Sequence, residues 1–218
     1  MKDETEGKIV VEMPNGTCTI ILNASKKDFS EYPEMTFVET NGYISIEAEH
    51  YALNKKATNE QGNVNQFQVL EGYGKTLSAL KAFPTTEYFT PGKDAPYLQY
   101  QFVVQEAGEY ELELYMQPSN PVRTDYTLFC GIQANEDDTA IVNVLPEGYR
   151  VDDVNWAVGV LNNIHKHIST IKCKAGLNTL RVYAVSPGFV LEKLVIYPQG
   201  KKPANSYLGP TETYYVGK

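Results

Sequence analysis

The sequence predicts an all-β protein, a two-sheet antiparallel β-sandwich of the jelly-roll kind, on three observations. Apolar and polar residues alternate with a period of two wherever the chain is not a turn. No segment sustains a helical period for more than about ten residues. Tyrosine, which favours strands, occurs 16 times in 218 residues. With 42% hydrophobic residues, a chain of this length can bury a substantial core.

The elements follow in order. Lys8 to Met13 and Thr17 to Asn23 pair across Pro14-Asn15-Gly16. Residues 24–36 are polar, carry Pro33 and read as a connector. Gly42 to Glu49 places Ile44, Ile46 and Ala48 on one face. Tyr97 to Gln105, with Leu98, Tyr100, Phe102 and Val104 inward, joins Tyr110 to Gln117 through the tight turn Glu106-Ala107-Gly108-Glu109. In the second of these strands Tyr110, Leu112, Leu114 and Met116 point inward. Asp125 to Gln133 and Thr139 to Leu145 come next. Asn163 to Lys174 turns through Ala175-Gly176-Leu177-Asn178 into Thr179 to Val185, where Leu180, Val182 and Ala184 share a face. Phe189 to Tyr197 is the last strand. Ten strands at this spacing predict two packed sheets. The organisation is a strand pair and connector at 1–35, a sandwich at 36–200 and an extended tail at 201–218 with Pro203, Gly209 and Pro210.

Several function classes are disfavoured. A net charge of −8 without a Lys/Arg cluster argues against nucleic acid as a partner. Gly72-Tyr73-Gly74-Lys75-Thr76 resembles the end of a phosphate loop, but position 69, where that motif needs glycine, is Val69. Cys18, Cys130 and Cys173 are odd in number and far apart, and read as free thiols. No apolar run reaches the roughly 18 residues that span a bilayer, so no membrane partner is expected, and the N-terminus lacks an apolar signal core. No Gly-x-Ser-x-Gly elbow occurs. His165 and His167 share a strand face, but two ligands do not make a zinc site.

Two constellations carry chemistry. Glu47 and Glu49 alternate on one strand and are expected to point the same way, about 7 Å apart, as hard-cation ligands or as a solvated face balanced by Lys193. As neighbours on one strand face they are poorly placed to flank a glycosidic bond. Sugars are gripped by a flat aromatic rimmed with hydrogen-bonding groups. Trp156, the only tryptophan, lies in the polar segment that starts at Arg150, where Asp152, Asp153, Asn155 and Arg150 could bond hydroxyls or a uronate. Tyr73, flanked by Gly72 and Gly74, is a second platform. The competing reading of Trp156 is core packing or contact with another domain.

The stretch Phe37-Val-Glu-Thr-Asn-Gly-Tyr-Ile-Ser-Ile-Glu-Ala-Glu-His-Tyr51 resembles the opening of the C-terminal domain of glycoside hydrolase family 115, the xylan α-1,2-glucuronidases. Pro96-Tyr-Leu-Gln-Tyr-Gln-Phe102, Val185-Ser-Pro-Gly-Phe-Val-Leu-Glu-Lys-Leu-Val-Ile196 and Ser206-Tyr-Leu-Gly-Pro-Thr-Glu212 agree with it in order. The chain is more loosely similar to carbohydrate-binding module families 6 and 35, through Ile46-Glu-Ala-Glu49 and Lys174-Ala-Gly-Leu-Asn-Thr-Leu-Arg181. The resemblance implies a galactose-binding-like sandwich without activity of its own, because the catalytic domain lies upstream in that family. It implies a family 115 catalytic domain or a second subunit as partner; the alternative is a free-standing module for glucuronoxylan or another xylan-type polysaccharide. From the binding modules it implies a structural Ca2+ held by Glu47, Glu49 and Glu192. The substrate class implies a periplasmic or extracellular setting.

Overall fold

Period-two alternation resolves into fifteen strands and one short helix among the described residues. The computed structural model describes residues 4–25, 28–150 and 152–217. Met1–Asp3, Lys26, Lys27, Val151 and Lys218 lie outside them, and with them parts of the N-terminal, connector and Trp156-segment readings. The chain divides into two units, at Pro33 and Glu34.

The first unit is an antiparallel ribbon of β1 (Glu4–Met13) and β2 (Gly16–Ser25). Its register pairs Ile9 with Ile20, Val11 with Cys18 and Gly7 with Leu22. Directly paired residues share a face, so Ile9, Val11, Met13, Cys18, Ile20 and Leu22 form one apolar face. Lys8, Val10, Glu12, Thr17, Thr19 and Ile21 lie on the other, mixed face. Within this unit the apolar face has no cover: Ile9 is 48% and Ile20 46% exposed.

The second unit begins with β3 (Thr36–Val38), β4 (Ile44–Glu47), β5 (Leu53–Lys55), β6 (Ala57–Thr58), β7 (Val64–Leu70) and β8 (Ala79–Phe83). It continues through β9 (Tyr97–Val104), β10 (Gly108–Met116), β11 (Phe129–Ala134), β12 (Ala140–Asn143) and α1 (Val154–Asn162). It ends with β13 (His165–Cys173), β14 (Gly176–Ala184) and β15 (Val190–Pro198). One sheet runs β13-β10-β15-β8-β7-β6, with β4 also on β15; the other runs β12-β11-β14-β9-β3, with β5 also on β9. All pairings are antiparallel except β3 with β9.

The core lies between the sheets. Leu98, Tyr100, Phe102 and Val104 meet Leu112, Leu114, Leu194 and Ile196 in one buried cluster that also takes in Leu180, Val182 and Ala184. Each fully buried leucine contributes about 1.5–3 kcal/mol from removal of apolar area from water. The Tyr100 hydroxyl donates to the Ala48 carbonyl at 2.8 Å, so this buried polar atom is satisfied. The tail is hydrogen-bonded to the sandwich, with Thr213 N–H to Ser45 O and Val216 N–H to Thr36 O, both 3.0 Å.

Three sequence expectations change. The strand predicted to reach Glu49 stops at Glu47, because a turn closes with His50 N–H donating to Glu47 O at 2.9 Å. β7 and β8 escaped the alternation because Asn65 takes a core-facing place beside Phe67, its amide donating to Asp94 O at 2.8 Å. The Trp156 segment is not a polar loop but α1, capped by Asp153. No helix among the described residues is long and apolar enough to cross a membrane.

Candidate functional site at the loop end of the sandwich

Antiparallel pairing brings the ends of β4, β8, β10, β12 and β14 and the starts of β7, β9, β11, β13 and β15 to one end of the sandwich. The connections there, residues 117–128, 144–164 and 185–189, together with residues 71–78, which Gln117 Nε2 ties to them through the Tyr73 carbonyl, hold all but three of the sequence-predicted site residues. Those three are Glu47, which ends β4, Glu49, which follows it, and Glu192 in β15.

α1 is built by its caps. The Asp153 carboxylate accepts from Asn155 N–H at 2.6 Å, and Asn163, in the left-handed region (φ 54°), ends the helix. Asp153 is therefore a cap, and Asn155 is exposed beside it. Trp156, in the first turn, packs its ring against the edge of the core, and its Nε1–H donates to Asn120 Oδ1 at 3.0 Å. The ring braces the helix against the loop that carries Asn120. Gly159 is buried against His165: a Cβ there would meet the imidazole Cε1 at 2.1 Å. His165 Nε2 in turn meets the Tyr149 hydroxyl at 2.8 Å, and burial lowers the His165 pKa. His167 is bonded instead to Ser169 Oγ at 3.0 Å, so the two histidines serve separate packing roles.

Arg150 precedes the helix. Its guanidinium lies 5.8 Å from the centre of the Tyr126 ring, over an open pocket of about 400 Å³ that includes Thr124, Asp125, Asn143 and Tyr149. Tyr126 has φ 57°, a left-handed conformation that is strained for an aromatic residue. Sequence reasoning missed Tyr126, since nothing local marks a tyrosine as left-handed. Tyr73 is 57% exposed on the neighbouring loop, which Gln117 Nε2 holds through the Tyr73 carbonyl at 2.5 Å.

Each of the three glutamates faces a protein partner of its own. Glu47 is buried, with Oε1 2.8 Å from Lys193 Nζ and Oε2 accepting from the Thr76 hydroxyl at 2.7 Å. The same ammonium donates to the carbonyls of Leu208 and Pro210, both at 3.3 Å. Lys193 thus holds the position where oxygen donors meet. Glu49 lies in the turn beyond β4, its carboxylate 4.0 Å from His50 Nε2. Glu192 reaches the outer surface of the sheet through a β-bulge: Tyr115 pairs with Lys193 and Met116 with Leu191, leaving residue 192 as the extra one. Its Oε2 accepts from Lys75 N–H at 2.6 Å, its Oε1 is buried without a partner, and burial pushes its pKa up to about 7. Calcium takes six to eight oxygens, and no group of three His, Cys, Asp or Glu among the described residues is placed to hold a metal.

Residues 36–212 match the model of the glycosyl hydrolase family 115 C-terminal domain. The chain belongs to this family. This chain is similar in fold to a family GH115 4-O-methyl-α-glucuronidase, BtGH115A, with specificity for decorated arabinogalactans: TM-score 0.54 and 14% identity over 73% of this chain and 18% of that one. The chain thus spans less than a fifth of that enzyme. Two carbohydrate-binding modules also align. The C-terminal CBM6 of the laminarinase LamC from Zobellia galactanivorans has TM-score 0.39 and 14% identity, over 71% of this chain and 98% of that one. A family 35 module from Clostridium thermocellum has TM-score 0.39 and 18% identity, over 70% and 97%. No curated protein matches this chain by sequence.

Proposed function

We propose that this chain is the non-catalytic C-terminal module of an enzyme that removes 4-O-methylglucuronic acid from a plant polysaccharide, and that it attaches to the rest of that enzyme through the ribbon. The observation that carries this reading is the uncovered apolar face of Ile9, Val11, Met13, Cys18, Ile20 and Leu22. A two-stranded ribbon is marginally stable alone and gains stability when such a face is covered. The match of residues 36–212 to a C-terminal domain model, and the 18% of BtGH115A that this chain spans, support a place within a larger enzyme. The buried Glu47 supports the non-catalytic reading: engaged by Lys193 and Thr76, it is not free to act as an acid or nucleophile.

Two tests follow. The reading frame upstream is expected to encode the remainder of a family 115 enzyme. Expressed alone, the chain is expected to self-associate through the ribbon, and the double variant Ile9→Lys/Ile20→Lys to be monomeric. A wild-type chain that sediments as a monomer at high micromolar concentration overturns the docking reading.

A second reading, direct binding of a polysaccharide, is favoured by the strained Tyr126 beneath Arg150 at the mouth of its pocket. Titration with glucuronoxylan or arabinogalactan oligosaccharides, followed by fluorescence of the neighbouring Trp156, tests it. An unchanged spectrum at millimolar ligand counts against it.

A further inference from the structure

A second pocket, of about 380 Å³, opens where the last residue of α1 meets the tail, lined by Lys75, Asn162, Lys166, Asn205, Ser206 and Tyr207. Its charge is unbalanced. The Lys75 ammonium donates to Asn162 O at 2.7 Å and lies 3.6 Å from the centre of the Tyr207 ring, with no carboxylate within 4.0 Å among the described residues. The Lys166 ammonium donates to the Tyr115 hydroxyl at 2.9 Å. Its nearest carboxylate oxygen, Glu113 Oε1 at 3.9 Å, is already taken by Lys202 at 2.8 Å. One buried carboxylate thus faces two lysines, while the Lys75 ammonium is in ion-pair contact with none, Glu192 being bonded to the Lys75 backbone N–H instead. Burial lowers the pKa of Lys75 against the attraction of Glu192, and that of Lys166 against the attraction of Glu113, with neighbouring lysines lowering Lys166 further. Positive charge is costly here until an anion arrives, in a chain whose net charge is −8.

Each ammonium has three N–H donors, so both keep donors free after the bonds named above. Asn205 and Ser206 add amide and hydroxyl groups at the rim, suited to sugar hydroxyls. We propose that this pocket binds a hexuronate, its carboxylate between Lys75 and Lys166 and its hydroxyls against Asn205 and Ser206. Tyr207 fixes the Lys75 ammonium at the wall through its ring face. The inference rests on the carbohydrate-binding reading and names the sugar class for a site separate from the Tyr126–Arg150 pocket.

The test is calorimetric titration of the full chain with glucuronate, glucose, acetate, sulfate and neutral xylo-oligosaccharides. Glucuronate is expected to bind at least tenfold more tightly than the others. Lys75→Met and Lys166→Gln, each checked for an unchanged melting temperature, are each expected to lose at least tenfold in glucuronate affinity. Acetate or sulfate binding as tightly as glucuronate would reveal a general anion site and overturn the uronate assignment, as would variants with wild-type affinity. Neutral oligosaccharides that bind wild type and Lys75→Met equally, with no preference for glucuronate, would sink this pocket and leave carbohydrate binding standing. No binding of any sugar would sink both.

Discussion

The ribbon and the sandwich are written in the same alternating code but end in opposite states. In β9 and β10 the apolar set Leu98, Tyr100, Phe102, Leu112 and Leu114 is fully buried, because a second sheet covers it. In β1 and β2 the equivalent set of Ile9, Val11, Met13, Ile20 and Leu22 is about half exposed. Alternation specifies which side chains share a face; it does not specify what lies over them. A face uncovered within its own unit therefore points to a partner, and a covered one to the fold.

The largest expected effect separates the two regions directly. Leu112→Ala should destabilise the sandwich by about 2–5 kcal/mol through lost transfer energy and a residual cavity. Ile20→Ala should cost the isolated chain under about 0.5 kcal/mol, the range for exposed sites. Urea unfolding of both variants checks the contrast. Equal losses would show that the ribbon face is covered within this chain.

Next in size is a charge effect at the bulge. Glu192 keeps its proton in the folded state up to about pH 7, whereas the unfolded chain releases it near 4.5. Between those values the folded state binds more protons, so this group's contribution to stability falls as pH rises and is lost above about pH 7. Glu192→Gln keeps an acceptor for Lys75 N–H and removes the buried charge. Its melting temperature at pH 8 should exceed wild type by a few degrees, at about 2–4 °C per kcal/mol for a domain of this size. At pH 4.5 the difference should vanish; a constant difference across the range would refute the assignment.

Much of the fold was legible because its central strands place an apolar side chain in the core at every second position: Leu98 to Val104, Tyr110 to Met116 and Leu180 to Ala184 were readable from period two alone. The site was less so. α1 exposes Val154, Val158 and Leu161 and buries a glycine, which inverts the pattern that marks a helix; only its capping Asp153 and Asn163 carry the signal. The Glu47–Lys193 pair, the bulge at Glu192 and the Lys75–Lys166 pocket depend on residues far apart in sequence, and register across strands is not written in either strand alone.

Gly159→Ala probes that inverted helix. Alanine gains about 1 kcal/mol of helix propensity over glycine. Against this, the new methyl meets three imidazole atoms of His165 within 2.7 Å, and the ring is buried and tied to Tyr149. Overpacking of this kind costs about 1–3 kcal/mol. The expected net loss is about 1 kcal/mol, read as a lower urea midpoint with weaker quenching or shift of Trp156 fluorescence. A stabilised variant would mean that α1 does not dock through Gly159.

The smallest expected effect concerns calcium. A ligand that binds only the native state must raise its stability. At this end of the sandwich Lys193 already neutralises Glu47, and the Glu49 carboxylate lies 4.0 Å from His50 Nε2. The melting temperature in millimolar calcium should therefore equal that in chelator. A rise of several degrees with calcium would show that the carboxylates rearrange around an ion, displacing Lys193 from Glu47, and the internal ammonium would then be a substitute that holds the site only until the metal binds.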